Sequence, residues 1–184
     1  MNKCENEDAG SKYSVLAKFL HWCFVILFAY GIYKQVENID QLEDISLLQS
    51  EIVFALVFLF FLVFRFFYMT KTQKTSLPTD TPKSQKLAAK IVHFSMYMSL
   101  VGIAFTGLMI GYFFWLGLKN GFLIDFLILM HELLVQVIYW LISIHVVAAI
   151  YHRLKKDGVW NSMVPFWKER SNPAGKNFNQ KKEC

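Results

Sequence analysis

FLIDFLILMHELLVQVIYWLISIHVVAAIY, residues 122–151, is an apolar run long enough to cross a bilayer as a helix, and it carries two histidines fourteen positions apart (145 − 131). About 20 helical residues span ~30 Å of hydrocarbon. At 1.5 Å and 100° per residue, fourteen steps give roughly 21 Å of rise and nearly four whole turns. His131 and His145 therefore point the same way at different depths. Ionisable side chains inside a bilayer are costly, and their presence there marks a functional site by default.

Working outward, three more runs have the length of a span: Val15 to Tyr33, Leu47 to Met69, and Leu87 to Phe114. The chain has 184 residues, 55% hydrophobic and 17% aromatic with 18 Phe, and a positive mean hydropathy of +0.34. The apolar share is modest, so it is the clustering into runs that decides the class. The fold predicted is all-α, an integral membrane four-helix bundle over residues 15–153. A short tail, residues 1–14, precedes it, and a basic tail, residues 154–184, follows. The first run starts too deep and is too long for a signal peptide, and no small-residue cleavage pattern follows it, so it is read as staying in the mature protein.

Cation placement predicts orientation. The second connection holds Lys71, Lys74, Lys83, Lys86 and Lys90, and the closing tail holds Arg153, Lys155, Lys156, Lys168, Arg170, Lys176, Lys181 and Lys182. The first connection is acidic, with Glu37, Asp40, Glu43 and Asp44 against Lys34, and the third has only Lys119. The positive-inside rule then places both termini in the cytoplasm. The net charge of +5 is an orientation signal, with no nucleic-acid motif beside it.

With that orientation, His21 on the first span and His145 on the last both lie about two turns inside the cytoplasmic boundary, while His131 lies some four turns further out. Imidazoles on facing helices suit haem, which His residues ligate well. Cys4, Cys23 and Cys184 form no CxxC or CxxCH pair, so any haem is held by coordination alone. Helix two has no histidine to meet His131; Gln49, Ser50 and Glu51 stand nearest.

Several segments together resemble the prokaryotic cytochrome b561 family, four-helix membrane cytochromes that include the superoxide oxidase and are related to b-type hydrogenase subunits. They are Tyr13-Ser14 with Leu20-His21-Trp22, His93-Phe-Ser-Met-Tyr97 leading to Gly107, His131-Glu132 with His145 and His152, and Lys156-Asp157-Gly158 to Met163-Val164-Pro165. The resemblance implies two stacked b haems. Carried over, it gives His21 and His145 as the inner iron ligands and His131 as half of an outer pair. Counting fourteen residues back from Arg65 (65 − 14 = 51) puts Glu51 where the family histidine stands, and Ala104 lies near the place of a family proline.

Glu51 admits three readings. The outer haem is lost and His131 bonds to Glu51; or a high-spin haem sits on His131 with one side open; or another subunit supplies the ligand. The expectation adopted is haem b at one site.

His93, near the start of helix three, reads either as an interfacial histidine bonded to backbone or as a quinone or propionate contact. His152 reads as a proton acceptor for a quinol or as a solvated side chain. Lys18, Arg65 and Arg153 come from helix ends at the inner level, where they pair with haem propionates or snorkel to lipid phosphates. Gly107 and Gly111 allow close helix approach, with or without a cofactor.

His131-Glu132 opens like HExxH, but Val135 holds the second histidine position, so a zinc peptidase is not indicated. Phosphate loops and nucleophile elbows are missing too. The function expected is electron transfer in the bacterial inner membrane between ubiquinone and a partner protein or small redox substrate, with superoxide oxidation the particular activity the resemblance raises. A haem-bearing anchor subunit of a larger oxidoreductase and a non-redox scaffold are the competing classes.

Overall fold

The computed structural model describes residues 13–36, 38–72, 82–155, 159, 160 and 164. It contains four helices in chain order, α1 (Val15–Tyr33), α2 (Ile45–Thr72), α3 (Lys83–Trp115) and α4 (Phe122–Lys155). A 3-10 turn at Ile39–Glu43 lies between the first two, and no strand occurs among the described residues. All four helices have the length and apolar composition to cross a membrane.

Local chemistry sets the ends. Ser14 caps α1, its hydroxyl accepting from the Ala17 N–H at 3.1 Å, which supplies a partner for one of the first-turn amides. Ser14→Ala is expected to lower stability by about 1 kcal/mol, read as a fall in thermal midpoint in detergent. The Asp44 carboxylate does the same for α2, accepting from the Ser46 N–H at 2.8 Å. That bond holds the Asp44 carboxyl below its ordinary value. The cap is thus complete at neutral pH and is lost only as pH falls through the lowered value. Gly117, at φ 77°, ends α3 in the left-handed conformation, with the Leu118 N–H reaching the Phe113 carbonyl at 2.9 Å.

Helices α2 and α3 run further than the hydropathy reading, which began them at Leu47 and Leu87 and ended α2 at Met69. The added turns are polar, as in Lys83 to Lys86. Hydropathy registers the lipid-facing stretch, whereas backbone hydrogen bonding continues past it. The polar stretch Lys156-Asp157-Gly158 and the tail from 165 lie outside the described residues.

Helix α3 is the central element. It buries Ser99, Leu100, Ala104, Thr106, Ile110, Gly111 and Phe114, and it packs against both α4 and α2, while α1 packs on α2. Helices α1 and α4 do not pack closely on each other. One core cluster centres on Phe24, Phe58, Leu62, Leu100, Ala104 and Ile138, and a second on Leu42, Leu48, Ile110, Phe114 and Ile124. The outer surface remains densely apolar, with Phe19, Phe60, Phe67, Phe105 and Val147 exposed, as suits a lipid solvent rather than water.

Contacts define two ends. At the end holding the start of α1, Ser14 bonds the Tyr68 hydroxyl of α2 at 3.0 Å; this is called the basic end. At the other, the loop end, Lys34 reaches Glu51 and Lys119 reaches Glu43, each at 3.0 Å.

Candidate haem site and a cavity at the loop end

Antiparallel packing of α1 on α2 brings His21 against Arg65, with Arg65 Nη2 and His21 Nδ1 2.8 Å apart. A guanidinium only donates, so Nδ1 accepts and a neutral His21 carries its proton on Nε2. Arg65 Nη1 also donates to the Tyr97 hydroxyl on α3 at 3.0 Å, and the guanidinium lies over the Phe24 and Tyr97 rings at 5.6 and 5.5 Å. His93 lies four residues before Tyr97 on α3 (97 − 93) and so stands at the same end, next to His145 on α4. Their own rings meet edge to face, with centroids 5.1 Å apart. Three imidazoles from three helices and one arginine therefore gather at the basic end.

The balance of charge in this cluster is uneven. Arg65 has no carboxylate partner among the described ion pairs, and its buried Nε has no hydrogen-bond partner. A half-buried cation bonded only to neutral groups suits an anion. Haem brings carboxylates as well as iron, so the donor set fits it: imidazole nitrogens for the metal, an arginine for a propionate.

The remaining basic-end residues are placed as follows. His93 is exposed and donates from Nδ1 to the Ala89 carbonyl at 2.7 Å, the backbone-bonded arrangement foreseen as one of its two readings. Arg153 lies over the Trp160 ring at 4.7 Å. His152 is half-buried beside Tyr151, and Lys18 is half-buried one turn into α1.

His131 stands apart, at the loop end. Its Nδ1 lies 2.9 Å from Thr106 Oγ1. That hydroxyl spends its single hydrogen on the Gly102 and Ile103 carbonyls, at 2.8 and 3.2 Å, so it accepts from His131. The His131 proton is therefore on Nδ1, and Nε2 keeps its lone pair. Gly107 makes the room: a Cβ there would lie 3.3 Å from His131 Cε1.

A cavity of about 330 Å³ opens beside His131, with Glu51 of α2 and Tyr139 of α4 also in its lining. The hydrogen bond between His131 and Glu51, one of the three readings of Glu51, does not form. Glu51 is drawn instead to Lys34, whose ammonium also donates to Ser50 Oγ at 2.8 Å. Among the described residues, the cavity lining offers His131 and a carboxylate held by lysine, with no second imidazole to pair with His131 on an iron.

Thr106, Tyr97 and Lys34 were not singled out from sequence as site residues. A polar residue inside an apolar span is the signal that marks Thr106; Tyr97 and Lys34 need the helix register.

A four-helix membrane bundle with imidazoles gathered at one end is an arrangement that membrane cytochromes use to hold haem between helices. The profile of one such family, described as prokaryotic cytochrome b561, matches residues 12–166. The chain belongs to the prokaryotic cytochrome b561 family, and so is a multi-pass membrane protein of b-type haem and electron transfer. Searches among curated proteins and among solved structures return no match.

Proposed function

We propose that the protein is a single-haem b-type cytochrome that exchanges electrons between membrane quinone and a partner or small redox substrate, with haem iron held by His21 and His145 at the basic end. Bound there, haem supplies reversible one-electron storage at iron. The observation that carries this reading is the Arg65 guanidinium against His21, bonded only to neutral groups and with its buried Nε lacking a hydrogen-bond partner. His21 Nε2 would hold the iron with the ring proton on Nδ1, and Arg65, which is bonded to no carboxylate among the described ion pairs, would be available to a propionate. Tyr97 holds the other arm of the fork, limiting how far Arg65 travels. His93, Lys18, Arg153 and His152 line the approach at this end.

Both termini and the basic end face the cytoplasm of the bacterial inner membrane in this reading, on the strength of the cations of the second connection and closing tail. Superoxide oxidation gains nothing from the loop end. The described acids there, Asp40, Glu43, Asp44, Glu51, Asp125 and Glu132, outnumber two lysines, both already ion-paired, whereas an anionic substrate is drawn by a positive funnel. Inertness of the haem to superoxide, in a stopped-flow mix with detergent-solubilised protein, is the expected result.

Haem content measures the stoichiometry. A pyridine haemochrome assay on purified protein is expected to give one haem per chain, and a ratio of two would remove the single-haem reading.

A further inference from the structure

The loop-end cavity is unused by the haem site, and its polar atoms form a pattern of their own. On the α4 wall, His131 Nε2 holds a lone pair, because Thr106 has fixed the ring proton on Nδ1. On the α2 wall, the Glu51 carboxylate ion-pairs with Lys34 through Oε1, yet that buried oxygen has no hydrogen-bond partner and remains an acceptor. Between them the lining is mostly apolar, with Ile52, Phe58, Ile103 and Ile138, and Gln35, Glu132 and Tyr139 add polar groups. Two acceptors on opposite walls of an apolar chamber select a flat, apolar ligand with a hydroxyl donor at each end. Neutral quinone, which only accepts, finds no donor at His131 Nε2 or at Glu51. A cavity of this size falls at the small end of ligand sites, enough for a single substituted ring. Helices α1 and α4 both contribute to the lining, through Phe28 and Val135 for example, and do not pack closely on each other, so a lipid tail would leave between them. Their one described polar link at this level is Tyr139 Oη donating to Gln35 Oε1 at a long 3.4 Å.

We infer that this cavity is a binding site for the head group of a quinol, the reduced two-hydroxyl form, with His131 Nε2 accepting from one hydroxyl and Glu51 from the other. The inference rests on the quinone reading above for the ligand class, but not on the haem ligands at the basic end. Selectivity lies in the hydrogens: the quinol donates two bonds, one of them to a carboxylate, that the quinone has no hydrogen to make. A hydrogen bond to a charged group contributes about 1.5–3 kcal/mol, and 1.4 kcal/mol is tenfold in affinity.

The test is equilibrium binding of radiolabelled decyl-ubiquinol, and separately decyl-ubiquinone, to the full-length haem-loaded protein in nanodiscs, with haem content measured on the same samples. Quinol is expected to bind at least tenfold more tightly than quinone. Glu51→Gln, which keeps the shape and removes the charge, and His131→Phe are each expected to weaken quinol tenfold or more, with quinone binding and the Soret band unmoved. Equal affinity for the two redox forms, or quinol binding indifferent to both substitutions, overturns the site. A second haem lost selectively with His131→Phe also overturns it, by showing iron in the cavity. If His131→Phe fails to fold, Glu51→Gln alone decides. Loss of the Soret band on replacing His21 separates the haem assignment from this one: either can fail while the other stands.

Discussion

His21→Ala and His145→Ala should each reduce the haem content of the purified protein to background, while His131→Ala leaves it at the wild-type level. In the proposed site each basic-end substitution would remove one of the two imidazoles that hold the iron, and without covalent attachment through a CxxCH motif coordination would be the main hold on the haem. His93→Ala is the informative control. Its ring lies edge to face with His145 at 5.1 Å, so it is the nearest imidazole able to stand in. Retention of haem in His93→Ala together with loss in His145→Ala assigns the ligand to α4. The reverse pattern would move it to α3.

The second large effect belongs to Arg65. Arg65→Gln keeps a donor for Tyr97 but removes the charge beside His21. Ferric haem carries one more positive charge than ferrous, so loss of a neighbouring cation favours the ferric state and lowers the midpoint. A unit charge at a separation on the order of 10 Å in an effective dielectric of about 20 contributes roughly 1.7 kcal/mol. For one electron that is about 70 mV downward. Arg65→Lys should recover part of the shift, since it restores the charge without the planar fork. A spectroelectrochemical titration measures both. An unchanged midpoint with full haem content would show that Arg65 belongs to lipid phosphate and not to the haem.

How far the sequence alone leads differs between the two ends of the molecule. The helices were legible because each span is a long apolar run, and α1 begins and ends where the hydropathy does, at Val15 and Tyr33. The polar first turn of α3 was not, because Lys83 to Lys86 carry no apolar signal. The proximity of His21 and His145 followed from counting rise along antiparallel helices. Arg65 was reached as a basic residue at the right depth, but its bond to His21 Nδ1 depends on rotation of α2 about its axis, which rise does not fix. At the loop end the Glu51–His131 bond, one of the three readings of Glu51, gives way to two local partnerships, Lys34 with Glu51 and Thr106 with His131. Each pairs residues 17 and 25 positions apart (51 − 34 and 131 − 106), and both depend on helix register. Gly107, read as a packing residue, turns out to make space for an imidazole.

The state of the iron tests the central claim most directly. Low-temperature electron paramagnetic resonance of the oxidised, haem-loaded protein should show a low-spin ferric signal alone, the signature of iron held by two nitrogens, and this signal should vanish in the His21→Ala, His145→Ala double variant. A high-spin ferric signal in the wild type, or a low-spin one that survives the double substitution, would contradict a haem clasped between α1 and α4.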